Sequence, residues 1–110
     1  MNKYGNKKIK AYGLNFDSKK EFDFYNKLVL LKKSGFVKDF KFQFPFKFNL
    51  DGKWLFTYKA DFVIDYADGS TEVVDIKPLD KKTGKFLTTS TFQLKKKLIE
   101  HQNGIKIILK

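Results

Sequence analysis

Hydrophobic and polar residues alternate most regularly at residues 40–50, where "FKFQFPFKFNL" puts phenylalanine at nearly every second position. This period of two predicts a half-buried strand, and Pro45 indicates an edge position or a bulge. The Asp-Gly pair at 51–52 predicts a turn into a second strand, "KWLFTYKADFVIDY", and the pair at 68–69 a turn into a third, "TEVVDIK". The pattern therefore predicts three antiparallel strands.

Helical periodicity flanks these strands on both sides. In "DSKKEFDFYNKLVLLKKSG", Ser18 is a good N-cap, Glu21 completes a capping box, and Gly35 predicts the C-terminal end. "TTSTFQLKKKLIEHQNG" predicts a second helix, capped within 88–90 and ending at Gly104. "IKAYGLNF" predicts a small strand or hairpin before the first helix, "LDKKTGK" a charged loop, and "IKIIL" a final short strand.

The same periodicity predicts which side chains form the core. Candidates on the helices are Phe22, Tyr25, Leu28, Val29, Leu31, Phe92, Leu94, Leu98 and Ile99. Trp54 and the phenylalanine row are also predicted to be core, because stacking of nucleic-acid bases on a strand would require exposed rings. His101, near a helix end, is expected to interact with the helix dipole rather than to act in catalysis.

Length and composition limit the organisation to one domain. A chain of 110 residues with 42% hydrophobic residues can bury one modest core. We expect a basic, mobile arm at residues 1–8 and a single α+β domain at residues 9–110. Cysteine is absent, so a bound metal would need oxygen ligands or the lone histidine. No segment approaches the roughly 20 apolar residues of a membrane helix, so we expect a soluble intracellular protein without a membrane partner.

The charge of the chain suggests a polyanionic partner. Twenty-three lysines and no arginine stand against 12 acidic residues, a net charge of +11. DNA is the simplest such partner, and lysine favours phosphate contacts with weak sequence preference. The alternative is a solvated lysine-rich surface without a binding role.

Acidic residues interrupt two of the predicted strands. Asp75 and Lys77 lie two apart at the end of the third strand, and Asp61 lies inside the second. A two-residue turn at 68–69 would pair Phe62 with Asp75 and send Asp61 to the other face. A three-residue loop at 68–70 would pair Asp61 with Lys77 and bring all three side chains to one face. A functional cluster therefore predicts the odd-length loop or an equivalent bulge.

The acid-any-lysine pattern alone carries little information, since it occurs five times in this chain. Its context, however, resembles a known family. "YKADFVIDYADGSTEVVDIKP", preceded by a helix bearing Glu21, resembles the core of the PD-(D/E)xK nuclease superfamily, as does the order helix, three antiparallel strands, helix, strand. Within it, the chain is most similar to short phage-encoded nucleases, including junction-resolving endonucleases and a related phage domain family. A restriction-endonuclease-like fold is the implied architecture.

The resemblance also implies roles for individual residues. Glu21, Asp61 and Asp75 correspond to metal ligands and Lys77 to the lysine of the motif, with Mg²⁺ as cofactor and Mn²⁺ as a substitute. The Ile76 backbone carbonyl is a further candidate ligand. Ala60 replaces the proline that names the motif, and Asp75 stands where glutamate is commoner. Glu21 could equally serve only as the capping-box residue, or do both.

Lysines around these residues are candidates for holding the DNA backbone. They are Lys19, Lys20, Lys27, Lys59, Lys95, Lys96 and Lys97, and the last motif of the family implies that Gln93 and either Lys96 or Lys97 face the site.

The sequence therefore predicts a magnesium-dependent endodeoxyribonuclease that selects branched or distorted DNA and works in the cytoplasm of the phage's host. Two alternatives stay open: a non-catalytic, lysine-rich nucleic-acid-binding module, and a small phage protein that binds a host protein. If junctions are the substrate, a homodimer is expected, since two symmetric cuts need two sites and an edge strand at Pro45 could pair or pack.

Overall fold

The phenylalanine-rich segment forms a long edge strand of a four-stranded sheet. We describe residues 7–110 of a computed structural model; residues 1–6 of the expected mobile arm lie outside the described residues. The elements in chain order are β1 Ile9–Ala11, β2 Leu14–Phe16, α1 Lys19–Lys33, β3 Val37–Leu50, β4 Lys53–Tyr66, β5 Thr71–Asp75, β6 Leu79–Asp80, β7 Lys85–Phe86, α2 Ser90–Asn103 and β8 Ile107–Leu109.

The predicted strand pairing is confirmed. β3, β4 and β5 are antiparallel neighbours, and β8 adds to β5 in parallel. The chain is thus a single mixed α+β domain with two helices and a mostly antiparallel sheet. The turn at 51–52 joins β3 to β4 with positive φ at both Asp51 (51°) and Gly52 (78°), as a two-residue hairpin turn requires.

Both helices begin and end where their capping residues predict. The Ser18 hydroxyl accepts the Glu21 backbone N–H at 3.1 Å, and the Thr89 hydroxyl accepts the Phe92 backbone N–H at 3.1 Å. The capping box is altered, however, because the Glu21 carboxylate accepts the N–H of Asp17, at 3.3 Å, and not that of Ser18. Gly104 ends α2 in the left-handed conformation at φ 63°.

The ribbon formed by β3 and β4 exchanges its buried face near Gln43 and Asp61. Phe62 and Ile64 pack with Leu28 of α1, whereas Val63 packs with Ile99 of α2. Since neighbouring strand residues point to opposite sides, the two helices cover opposite faces of the sheet. The residue that interrupts the pleat of β3 is Gln43, which has a φ of 55°.

Residues with the same alternation therefore face different helices on either side of this point. Phe40 and Phe42 belong to the α1 side, but Phe46 and Phe48 belong to the α2 side. On β4, Tyr58 and Ala60 likewise pack on the α2 side. The regular alternation of residues 40–50 predicted that all of its phenylalanines share one face of the strand. That prediction is wrong, because the positive φ of Gln43 reverses the direction in which the following side chains point.

Three further predictions need correction. Residues 79–86 form a small hairpin, β6 and β7, rather than an open loop. The Asp80 carboxylate accepts the backbone N–H of Lys82 at 3.0 Å, and the Asp80 backbone carbonyl accepts the N–H of Gly84 at 2.8 Å, which closes the turn. Trp54 and Leu94, predicted to be core, are each 59% exposed. Trp54 lies near the tip of the hairpin, on the side of the ribbon opposite to Tyr58 and α2, and Leu94 lies on the outer side of α2. No helix in the part of the chain described is long and apolar enough to cross a membrane.

Candidate active site

Two carboxylates take the place of ladder hydrogen bonds where β4 and β5 separate. The last ladder pair is Phe62 with Val74, and one step further Asp61 lies opposite Asp75. Asp75 Oδ1 accepts the backbone N–H of Asp61 at 2.9 Å, and Asp61 Oδ2 accepts the backbone N–H of Ile76 at 2.8 Å. These charge-assisted bonds satisfy backbone donors that the separating strands would otherwise leave unpaired.

This arrangement depends on the length of the β4–β5 loop. Thr71 pairs with Asp65, and the Tyr66 N–H donates to the Ser70 carbonyl at 2.9 Å, so residues 67–69 form the loop. The loop has an odd length, as a shared face requires, but it starts one residue earlier than the 68–70 alternative. Asp61 therefore lies opposite Asp75 rather than opposite Lys77.

A cavity of about 270 Å³ opens beside this junction, between the start of α1, the end of β5 and the start of α2. Its polar and charged lining includes Asp17, Glu21, Asp61, Lys77 and Thr88. The helix caps position Glu21 and Thr88, while the end of the sheet positions Asp61. Elements from three parts of the chain thus converge on one polar cavity.

Glu21 and Asp61 bring two carboxyl groups together in a poorly hydrated place. Glu21 is only 2% exposed. Burial, reinforced by the nearby Asp61 carboxylate, raises the pKa of Glu21 to about 8. Burial also raises the pKa of Asp61, although the Ile76 N–H opposes this shift. The pair therefore resists carrying two negative charges until a positive group enters.

Asp75 lies behind the cavity and does not line it. Its side chain is 2% exposed, and the Tyr58 hydroxyl donates to its Oδ2 atom. Burial raises the pKa of Asp75, opposed by the Asp61 N–H and by the charges of Lys77 and Lys96. In this structure both oxygens of Asp75 are engaged with the protein, so its contact with the cavity is indirect, through the backbone of Asp61.

Two of the candidate lysines lie at the cavity. The Lys77 ammonium lies 4.1 Å from the centre of the Phe92 ring, a cation–π contact. The Lys20 ammonium donates to the Lys77 carbonyl at 2.7 Å, and burial lowers the pKa of Lys20. Lys20 thereby connects the start of α1 to Lys77, two residues after the end of β5.

The other candidate residues are spread over the surface. Lys19 pairs with Asp23 at 2.9 Å, and Lys96 pairs with Glu100 at 3.2 Å. Lys95 lies over the ring of Phe56 at 5.4 Å. Gln93 donates to Thr88, which lines the cavity, at 2.8 Å. Among the candidate lysines, Lys27, Lys59 and Lys97 are exposed and take no part in these contacts.

The donor chemistry of the cavity suits a hard divalent cation. Glu21 and Asp61 supply carboxylate oxygens, the ligands that Mg²⁺ prefers, and burial, which raises the pKa of both groups, disfavours their negative charge in the absence of a cation. Within residues 7–110, however, no three carboxylate or imidazole side chains lie close enough together to form a metal site. Two side chains plus water and substrate oxygens are the coordination that Mg²⁺ commonly takes.

Sequence reasoning missed three residues of this region. Asp17 lines the cavity directly before the N-cap, a position where its acidic character alone was a usable signal. Tyr58 and Thr88 carry no comparable signal, because their contacts depend on the β4–β5 register and on the approach of α2.

Comparison with known proteins identifies the family of the chain. A family model described as "Protein of unknown function (DUF1064)" matches residues 1–107, and the chain therefore belongs to that family. No curated protein and no solved structure matches it significantly.

Proposed function

We propose that this protein is a magnesium-dependent endodeoxyribonuclease of the PD-(D/E)xK superfamily, with a restriction-endonuclease-like fold. One observation carries the proposal: the buried Glu21 and the half-buried Asp61 face a polar cavity beside Lys77 in a chain of net charge +11. Acidic groups whose pKa values are raised by burial cluster at functional sites. The surrounding positive charge would attract a polyanionic substrate.

The order and pairing of the elements support the same reading. A helix bearing Glu21 is followed by three antiparallel strands, with Asp61 and Asp75 opposite each other, and then by a helix and a strand parallel to β5. The motif resemblance predicts acids at these places. Two departures remain in the proposal, Ala60 at the proline position and Asp75 behind the cavity.

Each residue would have a distinct role in hydrolysis of a phosphodiester. Glu21 and Asp61 would hold the cation, with the Ile76 carbonyl as a further oxygen. Bound magnesium supplies Lewis-acid polarisation of the phosphate and a more acidic water. Lys77 would stabilise negative charge on the phosphate, Lys20 would fix the backbone at Lys77, and Asp75 would fix the backbone of Asp61.

A non-catalytic DNA-binding module is the second candidate, and one observation favours it. Asp61 and Asp75 each accept a backbone N–H at the end of the ladder, so both acids have a structural role that does not involve metal. Such a module would use the same lysines but would not cleave DNA under any condition.

Cleavage of labelled DNA distinguishes the two candidates. The substrates are a four-way junction, a matched duplex and a single strand, each with Mg²⁺, with Mn²⁺ and with chelator. We expect metal-dependent cleavage, fastest on the junction, that Asp61→Asn removes while DNA binding is retained. Asp65→Asn, four residues further along β4 and away from the cavity, is the matched control. Binding without cleavage of any substrate would reject the nuclease and favour the non-catalytic DNA-binding module.

A further inference from the structure

The hairpin of β3 and β4 exposes the only tryptophan of the chain. Trp54 is 59% exposed, and its neighbours Leu50 and Leu55 are 54% and 53% exposed. The indole Nε1 donates to the Thr57 hydroxyl at 3.0 Å, which fixes the ring relative to the strand. A large aromatic ring is therefore held in one orientation with much of its surface in water.

The register places this ring on the same face as two exposed lysines. Lys59 pairs with Pro45 and Lys47 with Thr57, so these side chains share one side of the ribbon. A β-bulge between Phe48 and Asn49 shifts the register, so Trp54 pairs with Asn49 and returns to that side. The hydrogen bond from Trp54 to Thr57 agrees with this assignment.

This face also leads to the candidate active site. The opposite side of the ribbon, with Tyr58 and Ala60, packs on α2, so the lysine side faces away from α2. Asp61 lies two residues beyond Lys59 on β4, at the point where the ribbon exchanges its buried face, and lines the cavity next to α1. A strip therefore runs from the cavity through Lys59 to Trp54, over about 20 Å at the usual rise of a strand.

The geometry points to this strip, Trp54 with Lys47 and Lys59, as a nucleic-acid surface on which Trp54 stacks against an unpaired base. The identity of the partner rests on the proposed function. An exposed aromatic ring stacks on any unstacked base, while lysines contact phosphates. At the 3.4 Å rise of a stacked strand, about 20 Å corresponds to about six nucleotide steps, so a strand that keeps its stacking needs about that length to occupy both ends.

The structure disfavours a second copy of the chain as the occupant of this hairpin edge. The Gln102 side chain accepts the Asn49 N–H at 2.8 Å and donates to the Lys47 carbonyl at 2.8 Å. The outer edge of β3 is therefore already bonded at this point, and Pro45 lacks an N–H. A basic, apolar tip also suits an anionic membrane surface, which the test below includes as an outcome.

Tryptophan fluorescence provides a direct test, because Trp54 is the only emitter of its kind. The full-length protein is titrated, in chelator to prevent cleavage, with a 12-nucleotide single strand, a 4-nucleotide strand, a blunt duplex and a duplex with a 6-nucleotide overhang. We expect strong quenching by the 12-mer and the overhang, and weak quenching by the 4-mer and the blunt duplex. Unchanged emission at saturating 12-mer would overturn the inference.

Anisotropy of a labelled 12-mer measures the contribution of the ring. Trp54→Ala is expected to weaken binding by roughly tenfold, and Trp54→Phe by less. Leu94→Ala, which removes an equally exposed apolar side chain from α2, is the matched control and should have no effect. Lys47→Ala and Lys59→Ala should each reduce the dependence of binding on salt by about one ion. Equal binding by all variants would contradict the stacking role.

Two other outcomes would assign the surface differently and overturn the inference. A blue shift with anionic phospholipid vesicles, without quenching by DNA, would indicate a membrane contact. A blue shift that grows with protein concentration alone would indicate self-association. Failure of the nuclease proposal is distinguishable, since DNA that quenches Trp54 but is never cleaved would retain the stacking surface and reject catalysis.

Discussion

The two ends of the strip on β4, Asp61 and Trp54, depart in opposite ways from the usual burial of apolar side chains and exposure of polar ones. At Asp61 the chain buries carboxyl groups where apolar side chains are usual, and at Trp54 it exposes a large aromatic ring where a polar side chain is usual. Between them, Thr57 and Lys59 follow ordinary patterning. Local violations of this kind are expected at functional sites, because each lowers stability without an evident packing gain. The two ends of the ribbon are therefore the places at which we propose ligand contacts.

The largest expected effect concerns the buried end. Asp61→Asn should lower metal-dependent cleavage at least roughly 100-fold, because it removes a charge that would hold the cation. Asp75→Asn should lower it less, since Asp75 acts through the Asp61 backbone in this structure. Single-turnover cleavage rates measure both. A larger loss for Asp75→Asn would show that Asp75, and not Asp61, is the principal ligand.

The next effect is a dependence of stability on pH. The pKa of Glu21 rises from 4.5 to about 8 on folding, so the folded state binds this proton more tightly. The contribution of this bound proton to the free energy of unfolding is fully present below pH 4.5 and is lost as the pH rises through about 8. Glu21→Gln should therefore stabilise the protein above pH 8, by up to about 5 kcal/mol, and change little near pH 4.

Urea unfolding at pH 5 and pH 8.5 checks this prediction. Mg²⁺ should raise the midpoint of the native protein at pH 8.5, because a cation relieves the repulsion between Glu21 and Asp61. The Glu21→Gln variant should show a smaller rise of the urea midpoint with Mg²⁺ at the same pH. A native protein more stable at pH 8.5 than at pH 5 without metal would reverse the predicted sign, and would mean that the pair is not buried as described.

How far the sequence predicts this molecule depends on the range of the interaction. The caps at Ser18 and Thr89 and the turn at 51–52 follow from local residue types and are confirmed. The face exchange at Gln43 and the loop at 67–69 do not, because they arise from pairing between distant segments. The odd-length loop predicted that Asp61 and Asp75 share one face, but it paired Asp61 with Lys77; the position of Asp61 opposite Asp75 and the engagement of Asp75 by Tyr58 required the folded register.

A smaller effect is expected behind the cavity. Tyr58→Phe removes the hydroxyl that donates to Asp75 Oδ2 and leaves that buried oxygen without a partner. The free energy of unfolding should fall by about 1–3 kcal/mol, measured by urea denaturation. Tyr66→Phe, at the C-terminal end of β4, where the hydroxyl donates to Glu72, is the comparison variant. An unchanged midpoint would indicate that Asp75 is hydrated and closer to the cavity than the structure places it.

The smallest effect is expected at the exposed end. Trp54→Ala should change the free energy of unfolding by no more than about 0.5 kcal/mol, because the ring makes little buried contact. Thermal melting followed by circular dichroism provides the measurement. A loss of 2 kcal/mol or more would mean that Trp54 packs in the core, and the contrast between the two ends would disappear.

Cleavage of a labelled four-way junction with Mg²⁺, comparing the native protein with Asp61→Asn, tests the central claim most directly. The account predicts cleavage by the native protein alone, abolished by chelator, with equal binding of the junction by both proteins. No cleavage by the native protein in Mg²⁺ or Mn²⁺, or equal cleavage by both, would contradict a catalytic role for the Glu21–Asp61 pair.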